Sequence, residues 1–151
     1  MIYDGRLSAI QQVNFGVPEG SVLCPLLLTI YTAEVCKIVI NHGCQVHLYA
    51  DNCQVYVSVQ VDGVSSATTR LSQCIADVAE WFSMNRLRLN PAKTQVIWLG
   101  SKQLVDRVDI VDVPVMSTTV RTADNARDLG VVPDIYLTMA LHVSAVCRAA
   151  Y

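Results

Sequence analysis

The stretch Gln45-Val46-His47-Leu48-Tyr49-Ala50-Asp51-Asn52-Cys53-Gln54-Val55-Tyr56-Val57-Ser58-Val59 decides the fold class. Val46, Leu48 and Ala50 alternate with polar or aromatic residues before Asp51-Asn52, and Val55, Val57 and Val59 alternate with them after it. A period of two marks a half-buried strand, and two such runs meeting at an Asx pair predict a β-hairpin whose turn presents Asp51 and Asn52. Asp62-Gly63 ends the second strand.

On either side the period lengthens to that of a helix. Upstream, Val22, Leu26 and Ile30 recur every four residues, with Leu23, Leu27 and Tyr31 beside them, which predicts a helix over about 21–40. Ser21 stands at its N-cap and Pro25 in its first turn, where a missing N–H costs little. Downstream, Leu71, Ile75, Val78 and Phe82 predict a helix over about 65–85. Beyond Pro91 the pattern predicts a strand at 94–99, a second hairpin from 104–113 and 115–121, a short strand at 129–132 and a final helix over 137–151. The fold class is α+β: one antiparallel sheet built around the 46–59 hairpin, with the helices from Ser21 and Ser65 on one of its faces.

The chain of 151 residues supports one domain, 1–151. Apolar residues make up 52% and charged residues 16%, which excludes a disordered chain. The net charge of −2 does not predict bulk attraction to nucleic acid or membrane, so any such binding needs a local patch. The run 22–31 is too short to span a bilayer and reads as a core helix. Six cysteines without Cys-x-x-Cys spacing, in a chain without a secretory leader, read as reduced, mostly buried thiols in an intracellular, nuclear or cytoplasmic protein. His42, Cys44, His47 and Cys53 are close in sequence, but no second spaced pair completes a zinc site. Trp81, Phe82 and Trp98 read as core aromatics.

Three segments carry a resemblance: Gly16-Val17-Pro18-Glu19-Gly20-Ser21 with the apolar run that follows it to Leu28, Tyr49-Ala50-Asp51-Asn52, and Asn85-Arg86-Leu87-Arg88-Leu89-Asn90-Pro91-Ala92-Lys93-Thr94. With Trp98-Leu99-Gly100, Asp128-Leu129-Gly130-Val131 and 142–151, they resemble the reverse transcriptase domain of non-LTR (LINE-type) retrotransposons, of the jockey-like and chicken-repeat-like kind. The resemblance implies a palm over about 1–121, then a primer-grip region and the start of a helical thumb over about 122–151. It implies that Gly16, Pro18, Glu19, Gly20 and Ser21 contact template and nucleotide, and that Asp51 and Asn52 form the catalytic turn with Asp51 as a Mg2+ ligand. Lys93 would donate a proton to the departing pyrophosphate, and Leu129 and Gly130 would lie at the primer grip. The implied partners are an RNA template and a DNA primer, with no membrane.

The departures from that pattern carry equal weight. Two-metal nucleotidyl transfer needs carboxylates to balance two divalent ions. The turn has Asn52 where the resemblance calls for a second aspartate, and no acid before Gly16 lies in a pattern resembling the upstream catalytic strand. Glu19 and Cys24 replace the usual Gln and Gly, and a negative Glu19 opposes a phosphate-bearing strand. A final helix without Gly or Pro punctuation predicts a piece of a larger fold. The expectation is an inactive polymerase fragment with an unpaired sheet edge that promotes self-association. The alternative is a non-catalytic remnant that binds nucleic acid or protein, or a product without a role. From the residues alone, Asp51-Asn52 is also ordinary turn chemistry and Lys93 a solvated charge.

Overall fold

The computed structural model describes the backbone of residues 2–3 and 6–7 and all of residues 22–150. The Ser21 cap and the Gly16–Ser21 loop lie outside the described residues. Strands β1 (Ile2–Tyr3) and β2 (Arg6–Leu7) pair antiparallel. Helices α1 (Cys24–Tyr31) and α2 (Ala33–Asn41) follow, then strands β3 (Gln45–Tyr49) and β4 (Asn52–Tyr56), then α3 (Val64–Met84). After a short α4 (Lys102–Val105) come β5 (Asp112–Val115), β6 (Thr118–Arg121) and α5 (Ala140–Ala150). The mixture of helices and small antiparallel sheets is the expected α+β class.

The 21–40 helix is two helices that meet at Thr32. Its hydroxyl donates to Leu28 O at 2.9 Å and its φ and ψ are −91° and 5°. The two halves then have different fates. α2 is amphipathic and buries Val35 and Val39 completely. α1 has no buried residue, and Val22, Leu26 and Ile30 are 94%, 56% and 64% exposed, so the reading of 22–31 as a core helix is wrong. Periodicity could not reveal this, since α1 is apolar on nearly every side. Counted through α2, the run Cys24–Asn41 reaches 18 residues at mean hydropathy 1.4, long and apolar enough by length and composition to cross a membrane. Its α2 half is committed to the core instead.

That core joins three elements. Val35 and Val39 of α2, Cys44 before β3, and Cys74 and Val78 of α3 are buried together. Val46, Cys53, Val55, Trp81, Phe82 and Leu89 pack against them. The hairpin register pairs Val46 with Val55 and Leu48 with Cys53, which puts its apolar side chains on the face toward α2 and α3. Burial pushes the Cys53 thiol up to about 11, with Cys36 adding to it, and the Cys74 thiol up to about 12, with Cys44 adding to it. Cys147 is exposed, so "mostly buried" holds for only part of the set.

Among the described residues a single sheet does not form, and the strands make separate two-stranded sheets. Residues 94–99 contribute only the bridge from Val96 to Thr122, and 129–132 is a turn. Residues 104–111 hold α4 and loop, so the second hairpin is shorter and turns at Met116-Ser117, not at Pro114. These segments are stitched by loop bonds, such as Trp98 Nε1 to Ile110 O at 3.1 Å and Gly100 N to Ile135 O at 3.0 Å. β5 buries Val113 and Val115, and Ser72 Oγ on α3 donates to Pro114 O at 2.9 Å.

With so few buried side chains, each one matters. Val39→Ala is expected to lose about 2 kcal/mol of stability in urea unfolding, and Ile40→Ala, its exposed neighbour, less than about 0.5 kcal/mol.

Candidate active site

The turn differs from its expected position by one residue. Tyr49 pairs with Asn52, so the two loop residues are Ala50 and Asp51, and Asn52 begins β4. Ala50 takes φ +51°, a conformation glycine adopts freely and alanine at about 1–2 kcal/mol. Asp51 is thereby the one carboxylate in the loop, and both Asp51 and Asn52 are exposed.

Opposite the core face the hairpin presents Gln45, His47 and Tyr49 on β3 and Asn52, Gln54 and Tyr56 on β4. Gln54 Nε2 donates to Asp128 Oδ1 at 2.6 Å. That bond holds the 128–131 turn against the hairpin. In this turn Asp128 and Val131 exchange both backbone bonds at 2.8 Å, while Leu129 and Gly130 take φ +47° and +88°. Leu129 and Gly130, 75 residues or more from Asn52 in sequence, therefore belong to the same neighbourhood as the hairpin. Sequence reading named the Asp128-Leu129-Gly130-Val131 segment but missed Gln54 and its bond to Asp128, because a single glutamine in an alternating strand gives no signal of what it meets.

Lys93 stands apart. Residues Pro91–Lys93 form a 3₁₀ turn capped by Asn90, whose Oδ1 accepts from Ala92 N at 3.1 Å. Lys93 is exposed, and no bond among the described residues joins it to Asp51 or Asn52. Of the residues weighed for zinc, His42 bonds Asp77 at 2.7 Å instead, and His47 and Cys53 lie on opposite faces of the hairpin. Among the described residues no three His, Cys, Asp or Glu side chains gather as a metal site.

Residues 2–132 match the family described as Reverse transcriptase (RNA-dependent DNA polymerase). The chain belongs to the reverse transcriptase family. No curated protein and no solved structure matches it. Reverse transcriptases work on a nucleic-acid template and primer and usually use divalent metal. The donors at this turn do not fit a metal pair: one carboxylate at Asp51, one neutral amide at Asn52, and Asp128 engaged by Gln54.

A shallow cleft of about 450 Å3 is lined by Asp124, Asp134, Tyr136, Thr138 and Leu141 among others. Asp134, which the sequence gave no reason to single out, organises its floor. It accepts from Thr138 Oγ1 at 2.7 Å and from the backbone N–H of Tyr136 and Thr138 at 3.0 and 3.1 Å. These bonds hold a segment in which Leu137 and Met139 both have positive φ, and Thr138 Oγ1 in turn accepts from Ala140 N at the start of α5.

The Thr138 hydroxyl and N–H hold the Asp134 carboxyl below its usual value. A lowered folded-state pKa stabilises above the ordinary aspartate range and is lost as pH falls through the folded value. Acidification below about pH 4 is therefore expected to loosen residues 134–140. Hydrogen exchange at the Thr138 amide should accelerate there beyond its intrinsic pH dependence, and Asp134→Asn should abolish that excess.

Proposed function

We propose that this chain is the palm and the start of the thumb of a non-LTR retrotransposon reverse transcriptase, and that by itself it does not polymerise. In this reading residues 1–121 are palm, 122–151 carry the primer grip and first thumb helix, and the 128–131 turn guides the primer end beside the hairpin. The Gly16–Ser21 loop would meet template and nucleotide. The observation that carries the loss of activity is the Asp51-Asn52 turn. Two divalent ions bring a charge of +4, Asp51 supplies −1 and Asn52 none. Removing part of a cooperating charge set commonly takes several kcal/mol from transition-state stabilisation.

Primer extension on an RNA template with Mg2+ or Mn2+ tests this directly. The chain and its Asn52→Asp variant are both expected to match a no-enzyme control, because among the described residues no third acidic, His or Cys side chain gathers with the turn to complete a metal site. Template-dependent incorporation that disappears on Asp51→Ala would contradict the reading.

Self-association belongs to the same proposal. β3 and β4 pair only with each other among the described residues, and α1 exposes Leu26, Leu27 and Ile30. Unpaired strand edges and exposed apolar faces both recruit further copies. Light scattering coupled to size exclusion is expected to show a mass that rises with concentration. A constant monomer mass would count against it.

A further inference from the structure

We propose that the segment after α3, Arg86 to Lys93, is a preformed ledge that binds the phosphodiester backbone of nucleic acid. The proposal rests on the nucleic-acid reading only for its ligand, and it requires no catalysis.

Charge is the first observation. Between Glu80 and Asp106 the sequence has Arg86, Arg88, Lys93 and Lys102 and no acid, in a chain whose net charge is −2. The remaining seven basic residues face all thirteen acidic ones elsewhere. Arg86, Arg88 and Lys93 are exposed, and no carboxylate among the described residues pairs with them. Glu34 reaches this end of α3, but its Oε2 accepts from Trp81 Nε1 at 3.2 Å.

The backbone supplies the second. α3 ends in a Schellman motif: Leu87 N donates to Phe82 O at 2.7 Å and Arg86 N to Ser83 O at 3.2 Å. The residue between the helix cap and Leu87 must then adopt positive φ, a position that favours glycine, yet it is Arg86 at φ +56°. Positive φ also occurs at Ala50, Met116, Leu129, Leu137 and Met139, so the strain by itself assigns no role; what it does here is turn the chain sharply after α3 and leave Arg86 exposed at the corner.

Rigidity is the third. Leu87 and Leu89 are half-buried, with Leu89 against the core, while Arg86, Arg88 and Asn90 alternate outward. Tyr31 OH donates to Asn85 O at 2.8 Å, which fixes the root of the ledge to α1. Guanidinium groups held outward from a fixed backbone engage phosphate oxygens with little ordering left to do.

Fluorescence anisotropy with labelled single-stranded RNA, an RNA–DNA hybrid and a DNA duplex, each over a salt series, tests the proposal. The chain is expected to bind at low salt, and Arg86→Glu with Arg88→Glu is expected to weaken binding about tenfold or more and to lower the salt slope by about 2. Lys37→Glu on α2 should leave affinity unchanged. The deciding variant is Arg86→Gly, which should weaken binding while keeping or raising the melting temperature, a pairing of signs that a merely structural arginine would not give. The three ligand arms show which backbone the ledge prefers. Equal affinity and slope for the chain and the reversed variant would overturn the proposal, as would absence of binding or binding only to anionic vesicles.

Discussion

The structure depends on one packing contact: the apolar face of the β3–β4 hairpin against Val35 and Val39 of α2 and Cys74 and Val78 of α3. A two-stranded hairpin is marginal in water by itself. Here Val46, Cys53 and Val55 reach a core that two helices have already made dry, and the period of two then fixes which side chains face outward. Asp51 and Asn52 are at the exposed end, and Gln54 is free to hold Asp128, because the register cannot slip without exposing those apolar residues. The same core anchors Leu89, and through it the basic ledge beyond α3.

What the sequence made legible follows the strength of its periodic signals. The hairpin and α3 were read to within a few residues, since each has an unambiguous period and a polar stop. α1 was misassigned because a helix apolar all round shows no preferred side. The 94–99 and 129–132 segments read as strands because Val, Ile and Leu favour that shape, yet their partners are loops joined by single bridges and isolated bonds. Local propensity cannot report the absence of a ladder. The turn shifted by one residue because an Asx pair suits a tight turn by itself, whereas the observed register puts Ala50 at the strained position and leaves Asn52 in the strand.

The candidate site was legible at the level of motif and not of geometry. Asp51, Asn52, Leu129 and Gly130 were named from the resemblance, and the fold brings the latter pair to the hairpin through a hydrogen bond from Gln54, which no motif marks, to Asp128, which stands in the same quoted segment as Leu129 and Gly130. Lys93, found the same way, lies on a self-contained turn. The hairpin loop carries one carboxylate, Asp51, while Arg86, Arg88 and Lys93 stand exposed after α3 with no carboxylate partner among the described residues.

The central claim is that a correctly folded hairpin presents too little negative charge to hold catalytic metal. The most direct measurement is a Mn2+ titration followed by paramagnetic broadening of the amide signals of residues 49–53. The account predicts weak broadening around Asp51 that does not saturate below about 1 mM, the strength left to a site of so few carboxylates. Saturable broadening at micromolar Mn2+, abolished by Asp51→Ala, would contradict it.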